Sequence, residues 1–376
     1  MSISQNFPST RPSLNLNFAR SQKLDPRITF TRSSTATYTG GDGLIKIAAT
    51  NTPRFDFNAT TGDCLGLLIE ESRSNLTTYS EDFTNAAWIL FGTTSRSANT
   101  VTAPDGNTTA DTVTLPINSG IYQFTSASAS TTYTFSVWIR TASASQNVNI
   151  VLNTNLGDAT ELTVTATTTW QRFSVTKTTS VGTTTLTSQL STGGGNTFYV
   201  WGAQTEAGAF PTSYIPTVAS TVTRSADNAS ITGTNFSSWY NPSEGTLGFI
   251  GDTVSPSSYS TVYQIDDGGT NNRLYLDKNS SNGRVVSTVS GSNQCIIILS
   301  TISSNTLFKL YGAYKLNDCA GSFGGGTVGT DTSATMPTCN MSRIGTDSVN
   351  YINGRIAQLS YYPVRLSNSQ LQTLTK

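Results

Sequence analysis

The sequence predicts an all-β protein with a small N-terminal β module, two jelly-roll or β-sandwich domains and one short C-terminal helix. Hydrophobic residues make up only 36% of the chain, and serine, threonine and asparagine, which are weak helix formers, are abundant. Short apolar segments alternate with polar residues, and 31 glycines and 12 prolines punctuate them. With 376 residues, the chain has room for two or three domains, each with its own core.

The first predicted domain, residues 1–76, combines an extended, proline-containing arm with a small β module. Residues 35–49, TATYTGGDGLIKIAA, place a Gly-Gly-Asp-Gly turn between two alternating runs, which predicts a hairpin. The segments RFDF and GLLIEE flank NATTGDC and predict a second hairpin. The module is therefore expected to consist of short strands and tight turns.

The second predicted domain, residues 77–222, contains the clearest strand in the sequence, YTFSVWIRT at 133–141. Its alternation places one set of side chains on a single face, which we expect to be apolar and buried: Tyr133, Phe135, Val137 and Ile139. Trp138 and Arg140 belong to the opposite face. Further short strands separated by glycine- and serine-rich turns favour a jelly roll or sandwich.

The third predicted domain, residues 223–376, is a second sandwich. The segment DKNSSNGR places Asn-Gly between two strand candidates, which is a hairpin signal. Near the end, Ser367 and Gln370 form the S-x-x-Q capping pattern ahead of an apolar stripe that includes Leu371 and Leu374. This pattern predicts one short C-terminal helix.

Charge and composition exclude several classes of function. The 22 basic and 22 acidic residues balance, and no lysine or arginine run is dense enough to neutralise several phosphates, which argues against nucleic-acid binding. The longest aliphatic run, Ile296 to Leu299, is too short to enter a membrane. The N-terminus lacks an apolar signal segment, so we expect synthesis in a cytoplasm. No motif for a cofactor or a metal is present.

The absence of histidine removes the commonest catalytic chemistry. Without an imidazole there is no Ser–His–Asp relay, no Cys–His pair and no H-E-x-x-H zinc site. Paired carboxylates or tyrosines are the ordinary routes that remain. We therefore expect a protein that is not an enzyme and has no catalytic residues.

The four cysteines show no C-x-x-C spacing. Reduced and mostly buried thiols are favoured, with a disulfide between Cys319 and Cys339 as the alternative. The adjacent acids Asp266 and Asp267 in IDDGG present oxygen ligands suited to calcium, but the spaced calcium-loop pattern is missing. A solvated hairpin turn is the favoured interpretation.

Glu70 and Glu71 are candidates either for a catalytic carboxylate pair or for structural ion pairs. Adjacent residues of a strand point to opposite faces, so these two cannot form the facing pair that glycoside hydrolysis needs. Arg54 and Arg73 lie in the same module, and charges among apolar residues normally need partners. We expect Arg54, Glu70, Glu71 and Arg73 to form structural ion pairs that brace the module.

Exposed aromatic residues are the best candidates for ligand contacts, because sugar rings present C–H faces that lie against flat rings. Trp138 and Arg140 are candidates on a sheet face that is either open or covered by another chain. Trp239 and Tyr240 are candidates because they lie in the turn-rich segment NFSSWYNPSEG. The competing interpretation is that these rings pack under loops or at a subunit interface.

Three groups of segments resemble proteins of tailed bacteriophages. LNLNFA, LDPRITFTRSSTATY, PRFDF and GLLIEESRSNL are similar to the N-terminal module of fibre, spike and tail proteins. NLTTYSEDFTNAAW and YVWGAQTEAGAFPTSYIPT resemble the carbohydrate-binding-module-like jelly roll that follows it. FKLYGAYKLND and INGRIAQLSYYPVRLSNSQLQTLT resemble a concanavalin-A-like (laminin-G-like) terminal domain.

This resemblance implies a virion structural protein of the tail-fibre or spike type that contacts host surface glycans. It implies docking to other virion proteins through residues 1–76, and assembly as a homo-oligomer, most often a trimer. The chain has no shaft repeats, unlike longer fibres. Two alternatives stay open, namely a head spike or architectural tail component without a host ligand, and a glycan-cleaving tail enzyme that uses aspartate and glutamate alone.

Overall fold

The computed structural model describes residues 8–255 and 259–376, and it confirms the predicted all-β class. Alternating apolar side chains and glycine-rich turns produce short antiparallel strands throughout. The N-terminal elements are β1 (Leu14–Asn17), α1 (Phe18–Ser21), β2 (Thr29–Thr31), β3 (Ala36–Thr39), β4 (Ile45–Ala48), β5 (Phe55–Phe57), β6 (Cys64–Ile69) and β7 (Arg73–Asn75).

The next ten strands form a two-sheet sandwich, here named the middle sandwich. They are β8 (Ile89–Phe91), β9 (Ser95–Val101), β10 (Ala110–Leu115), β11 (Ser119–Ser126), β12 (Thr132–Arg140), β13 (Gln146–Thr154), β14 (Ala159–Ala166), β15 (Gln171–Thr178), β16 (Thr185–Thr192) and β17 (Asn196–Ala207). One sheet has the order β15-β12-β17-β10-β9 and is named the junction sheet. The other has the order β14-β13-β16-β11-β8 and is named the outer sheet. Their facing apolar side chains form one core, as the alternation of β12 predicts.

The remaining elements build a larger sandwich, named the C-terminal sandwich, except that the first of them pairs with β7 in a separate two-stranded sheet. They are β18 (Val222–Arg224), β19 (Asn228–Thr232), α2 (Gly233–Ser237), β20 (Glu244–Gly251), β21 (Ser260–Asp266), β22 (Arg273–Asn279), β23 (Asn282–Val289), β24 (Ser292–Thr301), β25 (Phe308–Lys315), β26 (Cys319–Phe323), β27 (Gly329–Asp331), β28 (Met341–Ile344), β29 (Gly354–Tyr362) and α3 (Asn368–Thr375). Its two sheets have eight and seven strands, and each includes strands from the N-terminal region.

The N-terminal strands do not form the separate module that the sequence suggests. β1 pairs with β29, with Leu14 opposite Tyr361, and β6 pairs with another part of β29. β2 pairs with β19 in the seven-stranded sheet. Leu14, Leu16 and Ile69 are buried in the same core as residues of the C-terminal sandwich. These apolar side chains need a partner surface, and strands far along the chain supply it.

Both hairpins predicted in the N-terminal region are present. β3 pairs with β4, and β5 pairs with β6. The hairpin predicted around DKNSSNGR also forms, between β22 and β23, but its turn lies at Ser280 and Ser281. Ser280 adopts the left-handed conformation, with φ 55°, so the turn precedes the Asn-Gly dipeptide, which belongs to β23.

The predicted C-terminal helix is α3. Ser367 is its N-cap and forms a capping box with Gln370, and Leu371 is buried. Among the described residues, the helices are too short or too polar to cross a membrane. The four cysteines are free thiols, and Cys319 and Cys339 are not joined.

Candidate functional site

The predicted ion-pair residues meet at the junction between the two sandwiches. Arg54 lies 2.8 Å from Glu70, and both side chains are buried. Asp227 accepts hydrogen bonds from Arg54 and, at 3.0 Å, from Arg32. Arg224 lies 3.4 Å from Glu70. Three buried arginines thus surround two carboxylates, and residues from distant parts of the chain close the network.

Electrostatics keep this network charged. Burial by itself raises the pKa of Glu70, but Arg224, Arg54 and hydrogen bonds from Ser213 outweigh it and hold the pKa at about 2. The Ser213 backbone N–H donates to Glu70 at 2.8 Å, which ties the segment after β17 to the network. A carboxylate held charged by arginines and donors is suited to bracing and has no proton to donate at neutral pH.

Glu71 lies outside this network. Arg73 donates from Nε to Glu71 at 2.6 Å, and the Glu71 side chain is 29% exposed. Glu70 and Glu71 therefore occupy different surroundings and do not face each other. The sequence identifies the four local partners Arg54, Glu70, Glu71 and Arg73, but it offers no means to pair them with Arg224 and Asp227. The only signal for those two is a pair of charges in TRSADNAS, an otherwise uncharged stretch.

Trp138 lies on the face of β12 opposite the core, but this face is covered by the chain itself. Its ring contacts Trp201 and Tyr214, with centroids 5.4 and 5.5 Å away. Ile45 of the β3–β4 hairpin packs against the same aromatic cluster. The face is therefore not open, and the competing interpretation from the sequence, that this ring packs under loops, is confirmed. The turn that follows β17 and the N-terminal hairpin fold back over the junction sheet.

Arg140 shares this face and contacts two rings. Its guanidinium lies 5.2 Å from the centroid of Trp170 and 5.0 Å from that of Tyr199. Such cation–π contacts position the side chain locally and leave little aromatic surface for a ligand. Arg140 is thus a neighbour of the junction and not part of an open binding surface.

Trp239 and Tyr240 pack against the rest of the chain, in agreement with the competing interpretation of the sequence and not with the candidate role as exposed rings. Trp239 is only 4% exposed, and its ring lies 4.9 Å from both Phe236 and Tyr361. Tyr240 packs 4.7 Å from Phe236. Helix α2 and the residues after it cover one end of the C-terminal core, because their rings are more stable there than in water. The Trp239 ring is therefore closed to a sugar, and the Tyr240 ring is half-buried against Phe236.

One ring of the outer sheet is exposed, and two half-buried rings lie beside it. Tyr122 and Phe124 of β11 point away from the core, and Phe124 is 54% exposed. Their rings meet edge to face with centroids 5.1 Å apart. Phe91 of β8 extends the row, 6.2 Å from Tyr122. These three rings, named the aromatic row, form a continuous apolar surface on an otherwise polar sheet.

Polar side chains adjoin the aromatic row. Strand register places Gln189 opposite Tyr122, and Thr187 opposite Phe124. Asn153 lies opposite Thr187 on the next strand, and a shallow depression of about 760 Å³ runs between these residues. Amides and hydroxyls beside flat rings match the two sides of a sugar, its hydroxyls and its C–H face.

The outer sheet is nearly without charge. Across its five strands Glu161 is the only ionisable acid or base of the Asp, Glu, Lys and Arg types. Asn149 donates to Glu161 at 2.8 Å, and Thr163 donates to Asn149 at 2.9 Å, so the carboxylate is part of a hydrogen-bonded ladder. The face therefore offers no cation to an acidic ligand.

The aromatic row was missed by sequence reasoning. The signal was available in SGIYQFTS, where Tyr122 and Phe124 share one face and Ile121 and Gln123 the other. Ile121 and Gln123 are buried, so the rings must face outward. The prediction instead used β12, which has the clearest alternation but belongs to the covered junction sheet.

The described residues contain no group of three or more metal-binding side chains. Asp266 accepts a hydrogen bond from the Gly268 N–H at 2.7 Å, and Asp267 accepts one from Gly269 at 3.0 Å. These two acids therefore serve the turn between β21 and β22. The favoured hairpin interpretation of IDDGG agrees with this geometry.

No protein-family model matches the chain, and no curated protein shows significant similarity to it. Solved structures with partial similarity include the CBM40 module of a Ruminococcus gnavus IT-sialidase bound to α2,3-sialyllactose, with 13% identity, coverage of 36% of this chain and 84% of that chain, and a TM-score of 0.32. The CBM22-1 xylan-binding domain of Paenibacillus barcinonensis Xyn10C has 12% identity, coverage of 36% and 92%, and a TM-score of 0.27. The NanB sialidase of Streptococcus pneumoniae has 14% identity, coverage of 39% and 26%, and a TM-score of 0.33. At these scores the superpositions transfer neither a ligand nor a site residue to this chain.

Proposed function

We propose that the protein is a non-catalytic glycan-binding protein and that the outer sheet of the middle sandwich is its binding face. The observation that supports this most directly is the exposed Phe124 ring beside the half-buried Tyr122 ring on a polar, nearly uncharged sheet. Exposed rings cost free energy in water unless a ligand covers them, and sugar C–H groups suit them. The chain has no histidine, and Glu70 and Glu71 do not face each other, which supports binding over hydrolysis.

The ligand proposed for this face is a neutral polysaccharide. With Glu161 as the only charged residue of the five strands, a carboxylated or sulfated sugar meets no compensating cation. The aromatic row is also extended, so it suits a chain of several sugar units better than a single one. Hydroxyl groups along such a chain find donors and acceptors in Gln189, Thr187 and Asn153.

The test is a binding measurement with Phe124→Ala and Tyr122→Ala. Each substitution removes a stacking surface worth about 0.5–1.5 kcal/mol, so we expect affinity for a neutral polysaccharide to fall roughly 2- to 12-fold per ring. Calorimetry or a glycan array on the purified chain measures this. Leu307→Ala is the matched control, since it removes an exposed apolar side chain from the C-terminal sandwich. Unchanged affinity in both ring variants would contradict the proposal.

We further propose, from the sequence resemblance, that the protein belongs to the particle of a tailed phage as a fibre- or spike-type component. In this proposal residues 1–76 contact other virion proteins, the assembly is a trimer, and the outer sheet meets host surface glycans. Imaging of intact particles with an antibody against residues 225–376 tests the placement. Absence of the antibody from tail and head alike would overturn it.

A further inference from the structure

A second ligand-sized space lies on the opposite side of the middle sandwich. A cavity of about 240 Å³, named the junction cavity, opens between the junction sheet, the β3–β4 hairpin and the C-terminal sandwich. Its walls include Tyr38, Trp138, Arg172, Ser213 and Arg355. It shares no residue with the aromatic row, and the proposed glycan face does not depend on it.

Arg172 is the unusual residue of this cavity. Its Nη1 donates to the Thr212 carbonyl oxygen at 2.6 Å, and its Nη2 donates to the Ser136 hydroxyl at 2.9 Å. The guanidinium lies 4.3 Å from the centroid of the Trp138 ring. Within the described part of the chain its Nε has no hydrogen-bond partner. All of its contacts are therefore to neutral groups.

Arg355, the other arginine that lines the cavity, and the arginines beside the cavity's carboxylates have carboxylate partners. Arg54 and Arg224 pair with Glu70, and Arg355 lies 2.7 Å from Asp252 and 3.3 Å from Asp56. The two carboxylates that line the cavity, Glu70 and Asp56, are thus already matched by cations. No carboxylate among residues 8–255 and 259–376 lies within ion-pair distance of Arg172. Its positive charge faces the cavity without direct compensation.

A guanidinium without a carboxylate partner is unfavourable at this position. Burial lowers the pKa of Arg172 to about 10, and Glu206 and Glu70, which act from farther away, offset only part of that effect. A charge that has lost water without gaining a counter-ion destabilises the fold. An anion in the cavity supplies a charge-assisted hydrogen bond, the strongest kind that an arginine forms.

We propose that the junction cavity binds one small hydroxylated monocarboxylate, such as a single acidic sugar, with its carboxylate on Arg172. The volume is just below the range of about 300–1,000 Å³ that drug-sized ligands occupy, which suits one sugar unit and excludes an oligosaccharide. The Tyr38 hydroxyl and the Trp138 ring provide a donor and an apolar wall for the rest of the molecule. Because both sandwiches line the cavity, the bound ligand ties them together.

The test uses the full chain and glucuronate as the probe, with glucose and sodium chloride as the neutral and ionic-strength comparisons. At a concentration ten times its Kd, we expect glucuronate to raise the melting temperature by about 2–4 °C. Glucose and salt leave it unchanged. Arg172→Gln removes the glucuronate effect, whereas Arg140→Gln keeps it, since Arg140 lies on the same sheet face but outside the cavity.

Several outcomes overturn the proposal. They are an equal effect of glucose and glucuronate, an undiminished effect in Arg172→Gln, or no effect of glucuronate on the parent chain. Should Arg172→Gln not fold, Tyr38→Phe provides a milder variant, which we expect to weaken glucuronate binding several-fold without unfolding. Unchanged glucuronate affinity in Tyr38→Phe then counts against the cavity as the site. In Phe124→Ala we expect weaker polysaccharide binding, while glucuronate still raises the melting temperature. The two proposed sites can therefore be tested independently of each other.

Discussion

Glu70 illustrates how a single side chain can hold distant segments together. Glu70 directly follows β6 in the N-terminal region, Arg224 follows the middle sandwich, and Ser213 belongs to the turn that covers the junction sheet. Neighbouring Glu71 has one nearby arginine and contact with water. Two adjacent residues of the same type therefore have different structural roles, because they differ in burial and in their partners.

Replacing Glu70 is expected to destabilise the protein far more than replacing Glu71. Glu70→Ala leaves Arg54 and Arg224 buried with one carboxylate fewer, at a cost of about 3–5 kcal/mol. Glu71→Ala removes a partly exposed pair and costs about 0–1 kcal/mol. Urea unfolding of both variants measures the difference. Similar free energies of unfolding for the two variants would show that the buried network does not brace the fold.

Substitution of Glu70 should also change how the free energy of unfolding depends on pH. The pKa of Glu70 is about 2 in the folded protein, below its ordinary value of 4.5, so folding is favoured by its charged form. This contribution is fully present above the unfolded pKa and is lost as the pH falls from about 4.5 towards 2. Glu70→Gln should flatten the stability profile over that window, which urea unfolding at a series of pH values measures.

Gly120 controls the aromatic row through its lack of a side chain. A Cβ at this position would lie 2.4 Å from the ring of Phe91 and 2.6 Å from the carbonyl oxygen of Leu190. The ring of Phe91 thus rests directly on the backbone of β11. The position of Phe91 on the outer sheet depends on this close approach between β8 and β11.

Gly120→Ala is therefore expected to destabilise the outer sheet and to displace Phe91. Overpacking of this kind costs about 1–3 kcal/mol, and the displaced ring weakens polysaccharide binding as well. Thermal unfolding and calorimetry measure both effects. Gly193→Ala serves as the control, because no heavy atom lies within 4 Å of a Cβ there and its φ is not positive. Equal stability of the two variants would mean that the contact between Phe91 and Gly120 is relaxed in solution.

The sequence correctly predicted the elements whose formation depends on residues close together in the chain. The two N-terminal hairpins, the alternation of β12 and the capping box of α3 depend on neighbouring residues, and all of them are present. It could not predict what covers each face. Periodicity placed Trp138 correctly away from the core, but only the folded chain brings Tyr214 and Ile45 over it. The alternation in β11 likewise places Tyr122 and Phe124 on one face, but the local sequence does not tell whether another part of the chain covers that face.

The two sandwiches differ in how the chain builds them. The strands of the middle sandwich come from one continuous stretch, whereas the C-terminal sandwich takes strands from both sides of that stretch. β1 pairs with β29, nearly 350 residues later, at Asn15 and Ser360. In topological terms the middle sandwich is inserted into the C-terminal one, which explains why their junction holds so many buried charges and hydrogen bonds.

Removal of the N-terminal strand is expected to damage the far end of the chain. Deleting residues 1–17 removes β1 with the buried Leu14 and Leu16, and it leaves part of β29 without a hydrogen-bonded neighbour. Hydrogen exchange should therefore accelerate in β29 while the core strands of the middle sandwich stay protected. Deletion of residues 1–7 is the matched control. Unchanged protection of β29 in the longer deletion would contradict the pairing.

The pairing of β1 with β29 also sets an order of events during translation. A ribosome delivers β1 and β2 long before it delivers their partners. These strands therefore remain unpaired while the middle sandwich, whose strands all emerge in sequence, completes its core. The larger sandwich closes only after β29 leaves the exit tunnel. Until that moment the nascent protein carries unpaired strand edges, which bind chaperones or one another. Truncated products from premature termination are for this reason expected to retain a folded middle sandwich and to aggregate through their N-terminal strands.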